Sequence, residues 1–100
     1  MFNVLLVDDQ KLIRDGIRSL LAISGKVRVV AEAADGTSVV ALCQAHKPDV
    51  ILLDIMMPDM DGTEVCQRLK SNDLYKSIPI IMVTALDEIE KVADCDSTIL

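Results

Sequence analysis

Unbroken apolar runs alternate along this chain with stretches of helical period. Asn3-Val4-Leu5-Leu6-Val7 ends on Asp8 and Asp9 and predicts a first strand. From Gln10 the period changes. Leu12, Ile13, Ile17, Leu20 and Leu21 recur at helical spacing, with Lys11, Arg14, Asp15 and Arg18 on the other face. Ser24-Gly25-Lys26 stops that helix, with glycine just past its end. Val27 to Ala33 is rich in β-branched residues and partly alternating, which predicts an edge strand with one less buried face. Asp35-Gly36-Thr37 turns the chain into a second helix carrying Val39, Val40, Leu42 and Cys43, and Lys47-Pro48 ends it.

The next run, Val50-Ile51-Leu52-Leu53-Asp54, has the continuous apolar character of a strand buried on both faces, and it closes on one carboxylate before a turn. Asp61 and Glu64 have the spacing of a capping box, and Met60 and Val65 that of a hydrophobic staple. A third helix is therefore expected from there to about Ser71. Ile78 to Thr84 predicts a fourth strand with Pro79 near its start, where a missing N–H is tolerated. A short acidic helix over 87–94 and the beginning of a fifth strand over 97–100 complete the pattern.

Strands alternating with helices imply right-handed crossovers and a parallel sheet with helices on both faces. The expected architecture is a flavodoxin-like three-layer α/β sandwich. Residues 1–100 form one domain with sheet order 2-1-3-4-5, in which strands one, three and four are neighbours. Asp8 and Asp9, Asp54 and Thr84 then stand at the carboxyl ends of adjacent strands, where open α/β sheets bind ligands.

Carboxylates held close together repel one another, and a hard divalent cation such as Mg²⁺ relieves this while keeping some of its waters. Asp9 and Asp54 are the first candidate ligands; Asp8 is either a ligand or an acid behind them, and the backbone carbonyl of Met56 is placed to join. Such an ion would also neutralise an incoming phosphoryl group, and an Asp carboxylate can attack phosphorus to give an aspartyl-phosphate. Asp54, on the central strand, is the better nucleophile candidate. Thr84 can donate its hydroxyl to phosphoryl oxygens, and Ala85 leaves the approach open. Each aspartate also has a plain reading as a turn or cap, which is the role assigned to Asp61, with Asp59 in a solvated turn. Three strand ends converging is what favours chemistry for Asp9, Asp54 and Thr84.

Composition narrows the classes. The net charge of −6 argues against direct nucleic-acid binding, which relies on clustered Lys and Arg. No stretch has the length of apolar residues that a membrane span needs, and the N-terminus starts with a strand pattern rather than a signal peptide, so a cytoplasmic protein is expected. Cys43, Cys66 and Cys95 show neither a CxxC pair nor zinc spacing and are expected as small core or surface residues.

Val7-Asp8-Asp9, Leu53-Asp54-Ile55-Met56-Met57-Pro58 with Asp61-Gly62, and Pro79-Ile80-Ile81-Met82-Val83-Thr84-Ala85 together resemble the receiver domain of bacterial two-component response regulators. The resemblance implies a domain in which a phosphoryl group from a histidine kinase or phosphotransfer protein passes to Asp54, with Mg²⁺ held by Asp8, Asp9, Asp54 and the Met56 carbonyl. It further implies that Thr84 moves to hold the phosphoryl group and shifts the face that the family forms from its fourth helix, fifth strand and fifth helix. The opening, up to about Gly36, is similar to receivers attached to helix-turn-helix DNA-binding domains, whereas Met57 to Ala85 is closer to those attached to diguanylate cyclases.

The chain departs from the family at its C-terminal end. The family's Lys after the fifth strand has no counterpart, Thr98 stands where an aromatic residue is frequent, and the final helix is missing, so the fifth strand is expected to be partial. If the chain is complete, its incompletely covered sheet edge invites association, so a homodimer is one expectation; the alternative is that the sequence is a piece of a longer regulator. The leading reading is a phosphoacceptor module that modifies itself without turning over a substrate as a free enzyme. The alternative is a pseudo-receiver that binds partners without phosphorylation. A haloacid-dehalogenase-like phosphatase would need a D-x-D pattern after its first strand, which Asp8-Asp9-Gln10 lacks.

Overall fold

The computed structural model describes residues 1–54 and 62–83, and the backbone of 98–99. Its elements run in the order β1 (Phe2–Val7), α1 (Lys11–Ser24), β2 (Val27–Ala33), α2 (Val39–His46), β3 (Val50–Asp54), α3 (Gly62–Lys70), β4 (Ile80–Val83) and β5 (Thr98–Ile99). All strand pairs are parallel, and the sheet order is β2-β1-β3-β4-β5. This is the flavodoxin-like order expected from the alternation of apolar runs and helical stretches. The expected helix over 87–94, the Asp61 cap and the Met60 staple lie outside the described residues.

Chain order reverses direction between β1 and β3, and that reversal sorts the helices. The crossover from β1 to β2 moves one way along the sheet and puts α1 on one face, whereas those from β2 to β3 and from β3 to β4 move the other way and put α2 and α3 on the opposite face. Period-two alternation in β1 and β3 serves both layers. Leu5, Val7, Ile51 and Leu53 join Val39 and Cys43 of α2 and Val65, Cys66 and Leu69 of α3 in the larger core cluster. Val4, Leu6 and Leu52 face the other way, against Ile17 and Leu21 of α1.

The helix ends follow local chemistry. Gly25 caps α1 at φ 68°, a left-handed conformation that costs glycine little, and its N–H donates to the Ala22 carbonyl. Lys47 takes the same conformation at the end of α2, at φ 46° and without glycine's freedom, because buried Pro48 follows and the chain must leave the helix there. At the start of the sheet, Asp49 clamps β1 to β3: its N–H donates to the Asn3 carbonyl at 2.7 Å and its Oδ2 accepts from the Asn3 N–H at 2.7 Å. Pro79 sits just before β4, and its carbonyl accepts from the Ile51 N–H at 3.0 Å, so the ladder loses no donor at that step.

Two expectations are corrected. α1 contains no buried residue; of its apolar positions only Ile17 and Leu21 pack on the smaller cluster, while Leu12 is 83% and Leu20 70% exposed. The helix packs on the sheet by a narrow stripe, and grouping its apolar residues overstates the width of the buried face. Among the cysteines, Cys43 is the buried free thiol that was expected, its burial pushing the pKa up to about 11, whereas Cys66 is disulfide-bonded.

Candidate functional site

The strand register brings the acidic residues together. Val7 pairs with Leu53 across the β1–β3 ladder, so the next residue on each strand, Asp8 and Asp54, emerges side by side at the reversal point of the sheet. Asp54 is also in register with Val83 of β4, the residue preceding Thr84. Asp8, Asp9 and Asp54 each offer a carboxylate oxygen within 4.8 Å of the others. Asp8 is buried, Asp54 half-buried and Asp9 exposed, so the cluster opens to solvent on one side.

Asp8 is fixed at several atoms. Its N–H donates to the Ala33 carbonyl at 3.0 Å, extending the β1–β2 ladder by one bond. Its Oδ1 accepts the Gln10 N–H at 2.8 Å, which shapes the turn into α1. Its carbonyl accepts from Arg14 Nη1 at 2.6 Å, and Arg14 Nε donates to Glu32 Oε1 at 3.1 Å. Arg18 pairs with the same Glu32 and with Asp15. The plain turn reading of Asp8 is therefore correct for one carboxylate oxygen, and it coexists with membership of the cluster.

Of the residues selected from the sequence, the structure brings Asp8, Asp9 and Asp54 together. Met56 and Thr84 lie outside the described residues. Sequence reading placed Arg14 on the water-facing side of α1 and attached no role to Glu32. A signal was nevertheless present for Arg14, which stands three residues before Ile17 and seven before Leu21, on the buried stripe; Glu32 is identified only by the register that pairs it with Leu6, whose side chain faces α1.

Burial raises the Asp8 carboxyl above its ordinary value of 3.8; the Gln10 N–H opposes this, Asp9 adds to it, and Arg14 opposes it more weakly. A raised carboxyl binds more protons in the folded than in the unfolded chain between those two values, so stability falls as pH rises through that window. The contribution is fully present below 3.8 and lost once the folded-state value is passed. In metal-free buffer, Asp8→Asn is expected to raise stability at pH 7, with the advantage vanishing as the pH is brought down to 3.8. Urea denaturation at a series of pH values checks this, and an Asp8→Asn advantage that grows on acidification would contradict it.

Three convergent carboxylates fit a hard divalent cation, which takes oxygen ligands and offsets their repulsion. Among the described residues no helix is long and apolar enough to cross a membrane.

Residues 4–97 match the family described as the response regulator receiver domain. The chain is 42% identical over 86 residues to the probable transcriptional regulatory protein NarL of Mycobacterium tuberculosis, covering 86% of this chain and 39% of that protein. It is 41% identical over 86 residues to the response regulator PleD of Caulobacter vibrioides, covering 85% of this chain and 18% of that protein. The crystal structure of the N-terminal domain of a response regulator receiver protein from Methanoculleus marisnigri JR1 superimposes with a TM-score of 0.86 at 30% identity, over 100% of this chain and 83% of that one. The chain thus spans well under half the length of these two curated relatives.

Proposed function

This chain belongs to the response regulator receiver domain family of two-component signalling, and on that premise we propose that Asp54 accepts a phosphoryl group from a histidine kinase or phosphotransfer protein. The observation that carries the reading is the convergence of Asp8, Asp9 and Asp54 at the sheet's reversal point. A carboxylate oxygen of Asp54 attacks phosphorus, the bond from phosphorus to the donor breaks, and the donor leaves with that electron pair. With phosphohistidine the leaving group is an imidazole; with acetyl phosphate it is acetate. Asp54 is half-buried at a strand end, so the nucleophile is held by the ladder while its side chain keeps part of its exposure to solvent.

Asp8 and Asp9, with Asp54, would hold Mg²⁺, joined by the Met56 carbonyl. When bound, the ion supplies charge neutralisation for both the carboxylates and the incoming phosphoryl group. Thr84, next in the chain after Val83, would donate its hydroxyl to the transferred group. The chain would carry out only its own phosphotransfer and autodephosphorylation and would not turn over a substrate as a free enzyme. In the cytoplasm its modified state would be read by an output domain, DNA-binding or diguanylate cyclase, in a longer chain, or by a separate partner.

The test is intact mass after incubation with acetyl phosphate, with Mg²⁺ or with a chelator. One phosphoryl increment that needs Mg²⁺ is the expected result. No increment from a folded sample would overturn the phosphoacceptor reading in favour of a binding-only module.

A further inference from the structure

We propose that Arg14 is the positioning residue of the acidic edge, its guanidinium setting the backbone at Asp8 so that the Asp8–Asp9 pair faces Asp54; this rests on the phosphoacceptor reading only where metal binding is used to test it. The side chain of Arg14 is just 14% exposed, and its fork spans two elements. Nη1 donates to the Asp8 carbonyl at the end of β1, and Nε donates to Glu32 on β2. A planar guanidinium with two fixed donor directions can hold two acceptors in one relative position, which a single ammonium cannot do as well. The Asp8 peptide leads directly to Asp9, so its tilt decides where both carboxylates point.

Charge and geometry predict opposite outcomes at this position. Removing the cation that faces Asp8 strengthens the negative potential at the cluster and should tighten cation binding if charge alone mattered. If Arg14 acts by positioning, its removal loosens the ligand set and weakens binding, as loss of the groups that orient metal ligands generally does. Arg18 supplies the control. It shares Glu32 with Arg14 and lies on the same helix, but it pairs with Glu32 and Asp15 rather than with the Asp8 peptide.

The experiment titrates Mg²⁺ alone into the wild-type chain, Arg14→Gln, Arg14→Lys and Arg18→Gln, following amide chemical shifts, and measures hydrogen exchange of the Gln10 amide without metal. Arg14→Gln is expected to weaken Mg²⁺ binding about tenfold. It should also speed Gln10 exchange about tenfold, because the Asp8 Oδ1 that holds this N–H loses its anchor. Arg14→Lys should not restore wild-type affinity, and Arg18→Gln should change neither quantity. Unchanged or tighter binding in Arg14→Gln, or full rescue by lysine, would overturn the proposal. If the wild-type chain binds no Mg²⁺, the phosphoacceptor reading fails by itself, and Gln10 exchange still decides: acceleration confined to the Arg14 variants upholds positioning, and equal rates in all four chains refute it.

Discussion

Asp54→Asn is expected to abolish the Mg²⁺-dependent phosphoryl increment completely while leaving the chain folded. Asparagine keeps the shape and the hydrogen-bonding reach of the side chain but has no anionic oxygen to attack phosphorus, so the loss is one of chemistry rather than architecture. The same substitution removes one of three mutually repelling carboxylates. Two unit charges about 4 Å apart repel by about 1 kcal/mol in water and about 4 kcal/mol at an effective dielectric constant of 20. In chelator, Asp54→Asn should therefore unfold at higher urea than the wild-type chain. Added Mg²⁺ should narrow or reverse the difference, because the wild-type site gains more from the ion than the variant does. A variant that still takes up phosphate would place the acceptor elsewhere. One less stable than wild type in chelator would show that the partner Asp54 holds in the folded chain outweighs the repulsion.

The second large effect concerns the strand that carries Asp54. Leu53 is wholly buried between β3 and the layer formed by α2 and α3. Truncating it to alanine removes the transfer free energy of the side chain and leaves a cavity that close-packed neighbours only partly fill, at a cost of about 2–5 kcal/mol. Against the about 5–15 kcal/mol that holds a small domain together, this is a severe loss. Leu52, one residue earlier, points to the other face. It lines an apolar groove of about 490 Å³ together with Ile17, Leu20, Leu21, Ile81 and Val83. Space there is already open, so Leu52→Ala is expected to cost about 2 kcal/mol, at the lower end of the range. Urea denaturation of the two variants should rank Leu53→Ala as clearly the less stable. Equal midpoints would mean that the two faces of β3 are equally packed.

The strands were legible because an apolar run broken by a carboxylate has few other uses. Val4 to Val7 and Val50 to Leu53 cannot be water-facing, and Asp8 and Asp54 cannot sit deep in the layer between helices, so each marks a strand's end. The sheet order followed from alternation and handedness. The sequence by itself therefore determined the parallel sheet, the edge at which the acidic residues meet, and the identity of Asp8, Asp9 and Asp54 as a group. Local periodicity carries this information because each strand and helix must bury its own apolar positions.

What surrounds the acidic edge was decided by the tertiary structure. Leu12 and Arg14 illustrate the difference: grouping all the apolar residues of α1 puts the leucine inward and the arginine outward, whereas only Ile17 and Leu21 pack on the sheet, and Arg14, three and seven residues before them, shares their stripe. Leu12 stays exposed, and Arg14 meets Glu32 and the Asp8 peptide. Glu32 was likewise silent in the sequence, because its partner lies on another element eighteen residues away. Helical and strand periods specify which face is buried within an element; only the packing of one element on another specifies what that face meets.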